Sequence, residues 1–111
     1  MKRTTIDLYR IGTLIAVDLP AVRPGVDVTV YPNNGTAWVR GTPNGGASTT
    51  SQCWTLRRPT SRWWHLPTGA SYDDLLVVRN DRGNHWLGEP AVDMPLAGYR
   101  AMLTAANQFF V

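Results

Sequence analysis

The chain has few of the residues that form disulfides or bind metals in small proteins. It contains a single cysteine, Cys53, and only two histidines among 111 residues. One cysteine excludes an intrachain disulfide and a thiolate cage for a metal. Two histidines without spaced carboxylates do not form a metal-ligand pattern, so we expect no metal. Cys53 lies in an apolar stretch without a nearby base, which favours a buried, unreactive thiol.

Long apolar runs are also missing. No segment approaches the roughly 20 apolar residues that cross a bilayer. Asp7, Arg10 and Asp18 interrupt the region where a signal peptide would have its apolar core. We therefore expect no membrane insertion, no signal peptide and a cytoplasmic protein, which specialised machinery would have to carry out of its producer.

Composition is that of a folded protein, with 43% hydrophobic and 17% charged residues. The length suits one domain spanning residues 1–111. A net charge of +3 permits contact with phosphates but is too small by itself to indicate a nucleic-acid binder.

Two early segments, 5–11 and 26–31, alternate apolar and polar side chains, as half-buried strands do. A hairpin of strands 26–31 and 36–41 is predicted around the turn at 32–35. Residues 47–52 are expected to open a strand or a short helix, and residues 80–83 to form a turn. Further strands are predicted over 5–11, 54–56, 63–66, 75–79 and from 84 onward.

The C-terminal segment changes to helical spacing. Apolar residues recur there as one stripe, formed by Leu96, Tyr99, Leu103, Ala106 and Phe110. Asp93 is placed to cap this helix and Pro95 suits its first turn. The pattern predicts a β-rich domain that closes with one amphipathic helix.

Chemistry is suggested first by Gly45-Gly46 and the hydroxyl-rich run that follows it. The two glycines permit close approach of the backbone to a ligand, and Ser48 and Thr49 offer donors and acceptors to it. An N-cap or a side-chain turn explains these hydroxyls equally well. Arg10, at a strand end, suits a phosphate or carboxylate, although a surface arginine is an alternative.

Two residues late in the chain are candidates for catalysis. His85 follows a turn and could act near neutral pH or bond a ligand hydroxyl; a structural histidine is the alternative. Glu89 is the only glutamate, and it would stabilise a cationic transition state if it faced a cleft. A solvated surface carboxylate is the simpler interpretation of Glu89.

Arginines and tryptophans interleave in the middle of the chain. Such side chains stack on nucleic-acid bases, but core and rim positions of a small domain are the more ordinary use of tryptophan. The cluster consists of Arg57, Arg58 and Arg62 with Trp54, Trp63 and Trp64.

Several of these elements, taken in order, resemble one family: the small ADP-ribosyltransferase-like toxins exported by type VI secretion in Pseudomonas and related bacteria. The resemblance extends over most of the chain, and it is the ordered set rather than any single piece that is specific. Its residues are Leu8-Tyr9-Arg10, Asp27-Val28, Gly45-Gly46-Ala47-Ser48, Leu56-Arg57-Arg58, Leu66-Pro67 with Gly69, Asp74 with Leu76 and Val78, His85-Trp86, Pro90-Ala91, Met94, Tyr99 and Leu103.

The resemblance implies an α+β ADP-ribosyltransferase-like fold, with small, mainly antiparallel sheets around an NAD cleft. Arg10 would anchor the dinucleotide, Gly46, Ser48 and Thr49 would line the nicotinamide-ribose pocket, and His85 would match the family histidine of the late strand. Ala47 stands where relatives can have threonine. Neither this chain nor the family has a clear equivalent of the usual catalytic glutamate, and Glu89 and Asp93 are candidates by position only.

The function implied is that of a cytostatic toxin which uses NAD as substrate and modifies a macromolecular acceptor in the target cell. Its partner would be a cognate immunity protein, which would protect the cytoplasm of the producer. Two alternatives remain open from the residues alone. One is a nucleic-acid-directed toxin or binding module that uses the arginine and tryptophan cluster, and the other is an interaction module that docks through its C-terminal helix.

Overall fold

Strands dominate the fold. A computed structural model describes residues 1–111 and contains one α-helix, α1 (Leu96–Ala106), followed by a short 3-10 turn over Asn107–Phe109. The strands are β1 (Lys2–Arg3), β2 (Leu8–Thr13), β3 (Val30–Asn33), β4 (Thr36–Val39), β5 (Ala47–Thr50), β6 (Ser61–Leu66), β7 (Ser71–Tyr72), β8 (Leu76–Arg82), β9 (His85–Pro90) and β10 (Met94–Pro95).

Five strands form an antiparallel sheet in the order β6, β2, β5, β9, β8. β6 pairs with every residue of β2, and β8 and β9 form a hairpin. β2 and β5, by contrast, pair only at Tyr9 opposite Thr50. The two halves of the sheet are therefore joined by a single paired position at its centre.

Alternation along the strands gives this sheet two different faces. Leu8, Ala47 and Leu76 are at most 4% exposed and belong to one face, which is covered by the core. Tyr9 and Thr50 belong to the other face and are only half-buried. The residues on the second face are free to form a site.

The core lies between the five-stranded sheet, α1 and the smaller sheet of β10, β4 and β3. Val39 of β4 and Tyr99 of α1 are both 0% exposed, and Leu103 is 1% exposed. The helical stripe expected from the sequence is thus the buried face of α1, with Phe110 beyond it also buried. A mostly sheet domain with one short C-terminal helix is consistent with the predicted α+β class.

The predicted hairpin is confirmed as β3 and β4, with its first strand beginning at Val30 rather than at residue 26. The preceding residues turn instead of extending, because Asp27 accepts hydrogen bonds from the backbone and side chain of Arg23. Residues 47–50 are a strand and not a helix. β2 lies two to three residues later than the predicted strand over 5–11.

Three local expectations are wrong. Cys53 is exposed rather than buried. Residues 54–56 form no strand; the carbonyl of Trp54 accepts the indole N–H of Trp63 at 2.8 Å instead. The turn expected over 80–83 falls later, because β8 continues to Arg82.

Asp93 does not cap α1. Met94 and Pro95 pair with β4, and this short strand separates Asp93 from the helix, which begins at Leu96 without a side-chain cap. Asp93 instead accepts hydrogen bonds from the Gly41 backbone N–H at 2.7 Å and the Tyr31 hydroxyl at 2.8 Å. Its carboxylate therefore links the segment before β10 to β3 and to the residue Gly41 that follows β4.

Candidate functional site

The face of the five-stranded sheet opposite the core carries an open groove of about 280 Å³. Four of the residues that the resemblance assigns to an NAD site line it. Ser48 and His85 belong to this face, whereas Arg10 and Thr49 belong by alternation to the core side and border the groove from below. The remaining lining is aromatic and apolar at one end, from Tyr9, Ile11, Trp54 and Trp63, with Thr50 beside the polar residues. The groove thus has an aromatic, apolar end and a hydroxyl-bearing middle.

A second cavity of about 320 Å³ continues the groove toward the other edge of the sheet. Ser48 and His85 line both cavities, so they stand where the two meet. The first cavity has the charged side chain of Arg10 in its lining, and the second has those of Asp27, Arg79 and Asp81. A ligand along the groove would pass from aromatic rings, over hydroxyls and an imidazole, to charged groups.

Ser48 offers a free hydroxyl at this junction. It is half-buried, lies opposite Leu87 of β9, and no protein group hydrogen-bonds its side chain. The Thr49 hydroxyl, by contrast, donates to the Trp86 carbonyl at 3.2 Å, and the Thr50 hydroxyl donates to the Gln52 carbonyl at 3.1 Å. Among the three, Ser48 is the one whose hydroxyl keeps its donor as well as its acceptors for a ligand.

Arg10 lies where β2 and β5 stop pairing. Its guanidinium donates to the Ser48 carbonyl at 2.7 Å, while its Nε is buried without a partner. Burial lowers the pKa of Arg10, and the nearby carboxylates of Asp27 and Asp18 oppose that shift. The cation is thus held in the floor of the groove, against the strand that carries Ser48.

The two glycines are required by contacts within the protein. Gly45 has φ +102, and a Cβ there would lie 2.3 Å from the Asp27 carbonyl oxygen. A Cβ on Gly46 would lie 2.3 Å from the Gly88 carbonyl oxygen on β9. The close backbone approach expected at this pair is therefore made to two other chain segments, although both glycines also line the second cavity.

Glu89 is not a solvated surface group; its side chain is 0% exposed. It accepts two hydrogen bonds from Arg79, at 2.5 and 3.2 Å, one from the Thr42 hydroxyl at 2.8 Å and one from the Gly45 N–H at 2.9 Å. Burial would raise the pKa of Glu89, but these donors outweigh it and hold the pKa below its ordinary value. Glu89 lines neither cavity and anchors the glycine loop to β8.

His85 is positioned by a residue that the sequence did not single out. Its Nδ1 lies 2.9 Å from Asp81 Oδ2, and both side chains are about one-third exposed. The hydrogen bond to His85 is the main reason that the pKa of Asp81 is lowered. The turn predicted over 80–83 includes Asp81, and the i, i+4 spacing of Asp81 and His85 is the sequence signal that points to this pair.

The arginine and tryptophan cluster is divided in the structure. Trp54 and Trp63 pack edge to face, with their ring centroids 4.6 Å apart, and both line the groove. Arg62 instead stacks over Trp64, with its guanidinium 3.9 Å from the ring centroid, and neither of these residues lines the groove. Arg57 and Arg58 border a separate cavity of about 240 Å³.

No group of three or more His, Cys, Asp or Glu side chains is placed to hold a metal ion. No helix combines the length and the apolar character that crossing a membrane requires. Comparison of the chain with protein-family models, with curated proteins and with solved structures gave no match. The geometry of the groove is therefore what carries a functional proposal.

Proposed function

We propose that the groove binds NAD and that the protein cleaves the bond between nicotinamide and ribose. The ADP-ribose would pass to a macromolecular acceptor or to water. The protein would then be a cytostatic toxin of the ADP-ribosyltransferase-like class, neutralised by a cognate immunity protein and delivered by specialised secretion. The observation that supports this most is the meeting of Ser48 and His85 with an aromatic end in one groove.

The order of side chains along the groove suits a nucleotide-like ligand. Planar rings pack on aromatic faces, which favours the end formed by Tyr9, Trp54 and Trp63 for a ring of the dinucleotide. Ribose hydroxyls would then lie over Ser48 and His85. Arg10 adds a positive charge beneath them that favours the pyrophosphate.

Glu89 has no part in the chemistry that we propose, since all its bonding is used within the protein. His85 is the titratable group of the groove with a ring nitrogen left for a ligand. It would bond a ribose hydroxyl or take the proton of the acceptor. The positive charge that develops on the ribose in the transition state would lie on one side of the His85 ring, and the Asp81 carboxylate would lie on the other.

Titration with NAD, followed by tryptophan fluorescence, tests the binding because Trp54 and Trp63 line the groove. Ser48→Ala should weaken NAD binding roughly 5- to 150-fold, which corresponds to a lost hydrogen bond of about 1–3 kcal/mol. Ser71→Ala, in β7 and outside the groove, is the matched control and should bind like the wild type. Equal affinity in Ser48→Ala and the wild type would contradict the site assignment.

Salt separates this proposal from binding of a nucleic acid. Contacts to a phosphate backbone weaken steeply with ionic strength, whereas a small ligand in a groove depends on it much less. We expect NAD affinity to change little between low and physiological salt. Salt-sensitive binding of an oligonucleotide that is lost in Arg57→Ala/Arg58→Ala, with no NAD binding, would favour the nucleic-acid alternative.

A further inference from the structure

Asp81 occupies an irregular position in the hairpin of β8 and β9. The pairing passes from Asn80 opposite Trp86 directly to Arg82 opposite His85, so Asp81 is the extra residue of a bulge. A bulge bends its strand and re-aims the side chain at that point. Here it brings the Asp81 carboxylate to 2.9 Å from His85 Nδ1 on the facing strand.

The partner determines which ring nitrogen carries the proton. An ionised carboxylate only accepts hydrogen bonds, so the contact requires a proton on His85 Nδ1. Asp81 is ionised at neutral pH, as an aspartate ordinarily is, and the hydrogen bond from His85 lowers its pKa further. In the neutral imidazole the lone pair is then on Nε2.

His85 Nε2 is left for the groove. No protein group hydrogen-bonds it, and the His85 side chain lines both cavities. We infer that Asp81 is a positioning residue which fixes His85 as the Nδ1–H tautomer and so presents Nε2 to the groove as a base.

The use of that base rests on the proposed function. In hydrolysis of NAD, a water oxygen bonds to C1′ of the ribose as the bond from C1′ to the nicotinamide nitrogen breaks. Nicotinamide leaves with the electron pair of that bond, and Nε2 takes the proton that the water loses. In transfer, the hydroxyl of an acceptor replaces the water and loses its proton in the same way.

Nitrogen NMR of the two imidazole rings tests the inference without any turnover. In the uniformly 15N-labelled chain, at a pH where both rings are neutral, His85 should show a protonated Nδ1 and an unprotonated Nε2. Asp81→Ala should abolish that preference, while the His65 signals and both rings of the control Asp74→Ala should stay unchanged. Asp74 is a matched surface carboxylate, 72% exposed and bonded only to the N-terminus.

A wild-type His85 protonated at Nε2 would overturn the inference, and so would an unaltered Nδ1–H tautomer in Asp81→Ala. The wild-type spectrum decides the first point even if the variant fails to fold. As a second readout, Asp81→Ala should lower kcat for nicotinamide release roughly 10- to 100-fold and leave KM nearly unchanged. Absence of release from every variant would count against the proposed function, since the tautomer is measured independently.

Discussion

Glu89→Gln separates a structural carboxylate from a catalytic one. Glutamine keeps the shape of the side chain but loses its charge, and it turns one oxygen acceptor into a donor. Every partner of Glu89 is itself a donor: Arg79, the Thr42 hydroxyl and the Gly45 N–H. The variant therefore loses the ion pair with Arg79. It also places an amide N–H group next to another donor at a position where the side chain is 0% exposed.

The cost follows from these contacts. Breaking a fully buried ion pair costs about 3–5 kcal/mol, and Arg79, one-third exposed, recovers part of its hydration when the pair is lost. We expect the free energy of unfolding to fall by about 3 kcal/mol. At about 4 °C per kcal/mol for a domain of this size, Tm should fall by about 12 °C.

The acid limb of the stability curve gives a second signature. The pKa of Glu89 is lower in the folded chain than its ordinary value of 4.5. Its stabilisation is therefore complete above that ordinary value and is lost as pH falls through the folded pKa. On acidification through this range the wild type should lose more stability than Glu89→Gln.

Urea unfolding followed by tryptophan fluorescence, at neutral and at acid pH, measures both effects. Asp74→Asn is the control, since that carboxylate is 72% exposed and its loss should change stability by less than about 0.5 kcal/mol. The reasoning is refuted if Glu89→Gln unfolds like the wild type at both pH values. Undiminished stability together with lost NAD cleavage would make Glu89 a catalytic residue instead.

Three further variants probe the same region. Gly46→Ala should destabilise the fold and lower Tm in a thermal scan, because its Cβ would lie 2.3 Å from the Gly88 carbonyl oxygen and backbone must shift; an unchanged Tm would contradict this packing. Tyr99→Phe should cost about 1–3 kcal/mol in urea unfolding, since the hydroxyl donates to the Gly88 carbonyl and accepts from the Ala47 N–H; equal stability would show that neither bond contributes. Trp63→Leu should weaken NAD binding in a calorimetric titration, while Trp64→Leu, outside the groove, leaves it unchanged. Weaker binding in Trp64→Leu but not in Trp63→Leu would contradict the assignment of the aromatic end.

Short-range signals made much of the fold predictable. Pro32-Asn33-Asn34-Gly35 indicated the hairpin, and both Asn34 and Gly35 indeed have positive φ. Helical spacing indicated α1, whose buried residues Tyr99 and Leu103 belong to the predicted stripe. Such features depend on neighbours in the chain, which is why one sequence suffices for them.

Contacts between distant parts of the chain determine the positions of Asp93 and Glu89, which the sequence alone did not predict. Asp93 looked like a helix cap until pairing of Met94 with β4 moved the helix start beyond it. Glu89 looked solvated because its partner Arg79 becomes its neighbour only through the register of β8 and β9. Neither local propensity nor spacing contains that register.

The candidate site shows the same division. Arg10, Ser48 and His85 were singled out as residue types suited to a ligand, and the structure brings them to one groove. The sequence missed Asp81, because a bulge rather than regular alternation turns its carboxylate toward His85. The glycine pair, expected to let the backbone approach a ligand, lines the second cavity, and both positions also lie close to backbone of the protein itself.

The central claim is that this groove cleaves NAD, and release of nicotinamide tests it most directly. The wild-type chain should be incubated with NAD, with and without a bacterial extract that supplies acceptors, and free nicotinamide measured by chromatography. We predict release by the wild type and by His65→Gln, and a decrease of roughly 100-fold in His85→Gln. No release under either condition, or equal release by folded His85→Gln, would contradict the account.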